Sequence, residues 1–119
     1  MLKINTQIKK LIQNNPIAFA TIGDGKPNVI GVAYVKVVAP NKVLVTDNFM
    51  KKTKDNLDKN RNVCMAVWDK KWNGIKLVGR AQYFGAGKWK RFVGTMSENK
   101  NMPAKGAILI TVSKIINLR

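Results

Sequence analysis

The residues of this chain best suited to chemistry sit close together at Thr46-Asp47-Asn48 and Lys51-Lys52-Thr53. The apolar run Val43-Leu44-Val45 leads into them, and a helical pattern over residues 52–60 follows, with Leu57 as its apolar anchor. A helix start offers unpaired backbone N–H groups and a partial positive charge. Two lysines and a threonine hydroxyl placed there suit a phosphate monoester. Such a pocket at the carboxyl end of a strand suggests a protein that holds a phosphorylated cofactor. The same residues also read more simply, since lysine-rich helix starts are common and Thr53 is a good N-cap type.

Other chemistry is scarce. The sequence has no histidine, which removes the usual general base, triad partner and metal ligand. The six acids, Asp24, Asp47, Asp55, Asp58, Asp69 and Glu98, are scattered, with no constellation for calcium or glycoside hydrolysis. No catalytic residue and no metal ligand is therefore assigned, and any redox or group-transfer chemistry falls to a cofactor. The one cysteine, Cys64, lies in the apolar run Val63-Cys64-Met65-Ala66-Val67 and reads as a buried thiol. It cannot form a disulfide within the chain, which agrees with a reducing compartment.

The formal net charge of +16 favours anionic ligands. The lysines are spread from Lys3 to Lys114, and arginine appears only at Arg61, Arg80, Arg91 and Arg119, so the charge reads as a generally basic surface. The N-terminal residues show no secretory signal, and no apolar run approaches the ~20 residues of a membrane span. A cytoplasmic location is expected, with no membrane contact.

These residues need elements to position them. Ile4, Ile8, Leu11 and Ile12 form a helical stripe ended by Asn14-Asn15-Pro16. Strands are expected over residues 17–22, 28–38, 42–46, 62–68, 75–84 and 106–116. Gly23-Asp24-Gly25-Lys26-Pro27 is a tight turn between the first two. Gly31 and Gly79 mark bulges or close approaches within their strands. Trp89, Phe92, Val93 and Met96 form a second helical stripe that packs on a sheet or a partner. The 119 residues fit one domain, residues 1–119. Six strands without regular helical alternation predict a mainly β chain: an antiparallel barrel with short helices at its ends.

The order of these pieces resembles the pyridoxamine 5′-phosphate oxidase-like, FMN-binding split-barrel family, and in particular its small single-domain members. The resemblance rests on Ala18-Phe19-Ala20-Thr21-Ile22 with Gly25-Lys26-Pro27-Asn28-Val29, on Thr46-Asp47-Asn48 with Lys52-Thr53, and on Asn60-Arg61-Asn62-Val63. Gly79-Arg80-Ala81 and Ile108-Leu109-Ile110-Thr111-Val112 also fit. It implies a six-stranded, Greek-key-like split barrel that forms a homodimer with FMN at the subunit interface. It further implies that Lys51, Lys52 and Thr53 bind the FMN phosphate. Asn28, Val29, Ile30, Gly31 and Val32 would lie along the flavin ring, and Thr46, Asp47 and Asn48 would border the ribityl chain. Trp68, Trp72 and Trp89 are candidates for an aromatic contact from the second subunit. The chain departs from the vitamin B6 oxidases, which are longer and carry histidines for their substrate, so oxidation of pyridoxamine phosphate is not expected.

The expected function is an FMN-dependent oxidoreductase or electron carrier, with a small-molecule or protein electron donor and acceptor of unspecified identity. Two alternatives stand beside it. One is a family member that binds a deazaflavin. The other is a basic, nucleic-acid-binding small barrel, permitted by the charge and by Trp72, Phe84 and Trp89. No RNA or DNA recognition motif is present, so nucleic acid is not the expected partner.

Overall fold

The computed structural model describes residues 2–118, so Met1 and Arg119 lie outside the described residues. Seven antiparallel strands form one sheet: β1 (Ile17–Gly23), β2 (Lys26–Val32), β3 (Val35–Ala39), β4 (Lys42–Asp47), β5 (Asn62–Trp68), β6 (Gly74–Phe84) and β7 (Gly106–Asn117). Three α-helices accompany them: α1 (Thr6–Asn14), α2 (Lys52–Lys59) and α3 (Lys88–Thr95). The mainly β antiparallel class expected from the sequence is the class observed.

The strand order is β2-β1-β5-β6-β7-β4-β3. This order corrects one expectation, because the single strand expected over residues 28–38 is two strands. Val29 and Gly31 pair with Ala20 and Ala18 of β1, whereas Val35 and Val37 pair with Val45 and Val43 of β4. The chain thus passes from one edge of the sheet to the other across Ala33 and Tyr34. Val32 and Val35 are both buried although three residues apart, which an unbroken strand of period two does not allow.

Inward-facing side chains alternate along each strand. Ile17 and Phe19 of β1, Val43 and Val45 of β4, Met65 and Val67 of β5, Leu77 of β6 and Ile108 and Ile110 of β7 make the main core. Phe19 is wholly buried, so truncation to alanine is expected to cost about 3–5 kcal/mol. β6 and β7 pair over their length with a register shift at Val78/Gly79, the bulge that one reading of Gly79 anticipated. A Cβ on Gly79 would run into the carbonyl oxygen of Thr111.

Helices close the open ends and sides. Asn5 caps α1 by accepting the Ile8 N–H at 2.8 Å, and Ile12 fills the core. The second helical stripe is α3, whose Val93 joins Leu44, Met96, Ala104 and Ala107 in a second cluster outside the barrel. α2 packs on β1, and Leu57 enters the main core. Asn56 beside it donates from Nδ2 to Thr21 Oγ1 at 3.0 Å. Cys64 is half-buried rather than buried. It points outward from β5 between Ala20 and Val78, and burial raises its thiol pKa while the Lys76 charge opposes the rise. No helix among the described residues is long and apolar enough to cross a membrane.

Candidate functional site

A cleft of about 310 Å³ opens where the end of β2, the end of β4 and the start of α2 converge. Its walls include Ile30, Gly31 and Val32 of β2, Thr46 and Asn48 around the end of β4, and Lys51, Lys52 and Thr53 at the head of α2. Residues 24–35 positions apart in sequence thus meet because β2 is hairpinned to β1 and α2 lies across that hairpin. Ala33, Tyr34, Phe49, Met50, Met96 and Asn99 complete the lining, and the sequence reading named none of them as site residues. Tyr34 and Phe49 are exposed at 49% and 71%, large apolar groups standing at an open cleft.

The head of α2 has the features of an anion site. Lys51 occupies the N-cap position without a side-chain cap bond, so Thr53 is not the N-cap. The first intrahelical bond runs from Asp55 N–H to Lys51 O at 3.0 Å. The N–H groups of Lys52, Thr53 and Lys54 precede it and have no acceptor within the helix. Lys51 and Lys52 are exposed, and neither forms an ion pair among the described residues. Thr53 is buried, and its hydroxyl oxygen accepts from Asn28 Nδ2 at 3.2 Å. That contact occupies a lone pair and leaves the hydroxyl hydrogen free to donate.

Three residues expected at the site lie outside the cleft wall. Asn28 stands behind it, donating to Thr53 and, at 3.4 Å, to Thr21. Val29 points to the outer face of the sheet and is 64% exposed. Asp47 is wholly buried, because its side chain turns inward with Val43 and Val45 along β4. It accepts from Tyr83 Oη at 2.6 Å and from Met50 N–H at 2.8 Å, with Lys105 Nζ at 3.9 Å. Burial, then the hydrogen bond and charge of Asp47, hold the Tyr83 hydroxyl above its ordinary range. Asn48 lines the cleft, but its amide is engaged. It donates to Asn99 Oδ1 at 2.7 Å and accepts from Asn99 Nδ2 at 3.1 Å and Ala104 N–H at 2.9 Å.

A second cleft, of about 380 Å³, shares Ile30 and Gly31 with the first and is otherwise lined by Pro16, Ile17, Ala18, Val29 and Trp68. The two meet at Gly31, where a Cβ would touch no atom within 4 Å. The second cleft opens onto an apolar outer face made by Ala18, Ala20 and Ile22 of β1, Val29 of β2, and Cys64, Ala66 and Trp68 of β5. Trp68 stacks on Trp72 with ring centroids 6.2 Å apart and planes 4° from parallel. Trp89 stands apart from both clefts, edge-on to Phe92 on α3.

Residues 4–119 match the family described as pyridoxamine 5′-phosphate oxidase. An uncharacterized protein of Methanocaldococcus jannaschii is 29% identical over 124 residues, spanning all of this chain and 83% of that protein. Among solved structures, HupZ of Group A Streptococcus superposes with a TM-score of 0.89 at 23% identity, over 97% of this chain and 94% of that one. An FMN-binding protein of Syntrophomonas wolfei gives 0.77 at 18% identity, over 93% and 83%. A structure described as F420 reductase gives 0.66 at 18% identity, over 88% and 91%. At these identities the solved structures share the fold.

Proposed function

Because the chain belongs to the pyridoxamine 5′-phosphate oxidase family, we propose that it is a flavin-binding protein that holds FMN in the cleft between β2, β4 and α2. Its role would be that of an FMN-dependent oxidoreductase or electron carrier. The observation that carries this reading is the uncapped, lysine-flanked head of α2 standing beside a cleft whose wall at Gly31 has no side chain.

The residues present fit the group. The Lys51 and Lys52 ammonium groups, the Thr53 hydroxyl and the free N–H groups of the first turn suit a dianionic phosphate. Asn28 orients the Thr53 hydroxyl from behind. β2 is an edge strand, so one row of its backbone N–H and C=O groups has no strand partner. Those groups suit the donor and acceptor pattern of a pyrimidine edge, and the open space at Gly31 admits a flat ring. FMN supplies hydride or electron transfer when bound. The chain supplies binding, orientation and a positive surrounding that favours electron-rich forms of the ring, within the limits of solvent screening.

A homodimer belongs to the same proposal. The outer face of β2, β1 and β5 exposes Val29 at 64%, Ile22 at 43% and Trp68 at 39%, beside small side chains that permit close approach. A second copy seated there covers this face and closes the second cleft, with Trp68 and Trp72 as the aromatic pair nearest the junction. The likeness to the F420 reductase supports a second reading, in which the same cleft takes a deazaflavin.

Equilibrium dialysis tests the proposal. Retention of one FMN per chain supports it. Retention of a deazaflavin in place of FMN moves the assignment to the second reading, and retention of neither rejects both.

A further inference from the structure

The segment between β4 and α2, residues 48–51, carries Lys51 and precedes the first-turn N–H groups, yet it has no regular structure of its own. It is fixed by residues that stand outside the cleft. The Asp47 carboxylate accepts the Met50 N–H at 2.8 Å, and Tyr83 Oη donates to that same carboxylate at 2.6 Å from the far end of β6. Lys105 adds a second clamp, donating from Nζ to Met50 O at 3.1 Å and from its backbone N–H to Asp47 O at 2.8 Å. Gly106 makes room for the tyrosine, since a Cβ there would collide with the Tyr83 ring and hydroxyl.

This arrangement is costly if it serves the core alone. Asp47 is a wholly buried anion, and a buried charge held by three partners is weak evidence for stability. Its negative charge also opposes anion binding by the segment it holds, so its contribution to such binding is geometric. We propose that Tyr83, acting through Asp47, is a positioning residue that sets the 48–51 segment so that Lys51, Lys52 and the head of α2 face the ligand phosphate. The inference rests on the proposed function and extends it to residues that do not touch the ligand. Lys105 works with Tyr83 from the other side of Met50.

The discriminating readout is the ratio of FMN affinity to riboflavin affinity. Riboflavin carries the same ring without the phosphate, so it does not report the phosphate-binding segment. Tyr83→Phe deletes one hydroxyl, and Gly106→Ala displaces the ring while keeping the hydroxyl. Each variant is expected to lower FMN affinity roughly tenfold with riboflavin affinity unchanged, the size of one lost hydrogen bond to a charged group. A merely structural role would shift the unfolding midpoint and weaken both flavins together or neither. An unchanged ratio in folded Tyr83→Phe or folded Gly106→Ala therefore overturns the inference while leaving the proposed function standing. If the unsubstituted protein binds neither flavin, the proposed function fails first and this inference goes with it.

Discussion

Tyr83 on β6 donates a 2.6 Å hydrogen bond to the carboxylate of Asp47, a wholly buried anion at the end of β4. The bond ties the long β6–β7 hairpin to the point where the chain leaves the sheet and enters the cleft wall.

That relationship predicts a pH dependence of stability. Burial, then the Asp47 hydrogen bond and charge, raise the Tyr83 pKa above its ordinary 10.0, so the folded protein keeps a proton that the unfolded chain loses. The stabilisation is fully present below about pH 10 and is lost as the pH rises beyond it. Urea unfolding of the unsubstituted protein and of Tyr83→Phe checks this. The advantage of the unsubstituted protein is expected to be constant near neutral pH and to shrink above about pH 10. An advantage that persists undiminished into strong alkali contradicts the assignment.

Lys52 is exposed, makes no ion pair among the described residues, and lines the cleft at the head of α2. Lys52→Ala is expected to leave the unfolding midpoint almost unchanged and to weaken FMN binding by about 1.5–3 kcal/mol. A fluorescence titration measures it, and an unchanged affinity removes Lys52 from the site.

At Gly31 the structure leaves room that nothing in the protein fills. Gly31→Leu is expected to fold, because the added side chain meets no atom close to its Cβ, and to block both clefts. The expected result is loss of flavin binding with little change in thermal stability. Retained binding would place the ring elsewhere.

Ala20 lies on the apolar outer face between Val29 and Cys64. Ala20→Arg places a long charged group outward, where a single chain tolerates it and a dimer interface does not. Sedimentation is expected to show a dimer for the unsubstituted protein and a monomer for Ala20→Arg. A monomer in both cases, or a dimer in both, contradicts this interface.

Much of the fold was legible because alternating apolar side chains on β1, β5 and β7 and the stripe of α3 follow directly from which face is buried. The break between β2 and β3 was not, because Val29, Ile30, Val32, Val35 and Val37 form a nearly continuous apolar run. Only the three-residue spacing of Val32 and Val35, with the small Ala33 between, marks the crossing from edge to edge.

The cleft was readable at Lys51, Lys52, Thr53 and Gly31 because helix-head chemistry and a missing side chain are local properties. Asp47 was misplaced for a reason that alternation explains: it shares parity with Val43 and Val45, so it turns into the barrel beside them. Val29 points outward by the same rule, opposite Ala20. Tyr34, Met96 and Asn99 reach the cleft from elements far away in sequence, and no local pattern announces them.

The measurement that tests the central claim most directly is the absorption spectrum of the purified protein, taken after desalting and again after addition of FMN and a second desalting. Bands near the ~370 and ~450 nm expected of oxidised flavin, retained through the second desalting at one FMN per chain, are the predicted result. A protein that stays colourless after both steps contradicts the account.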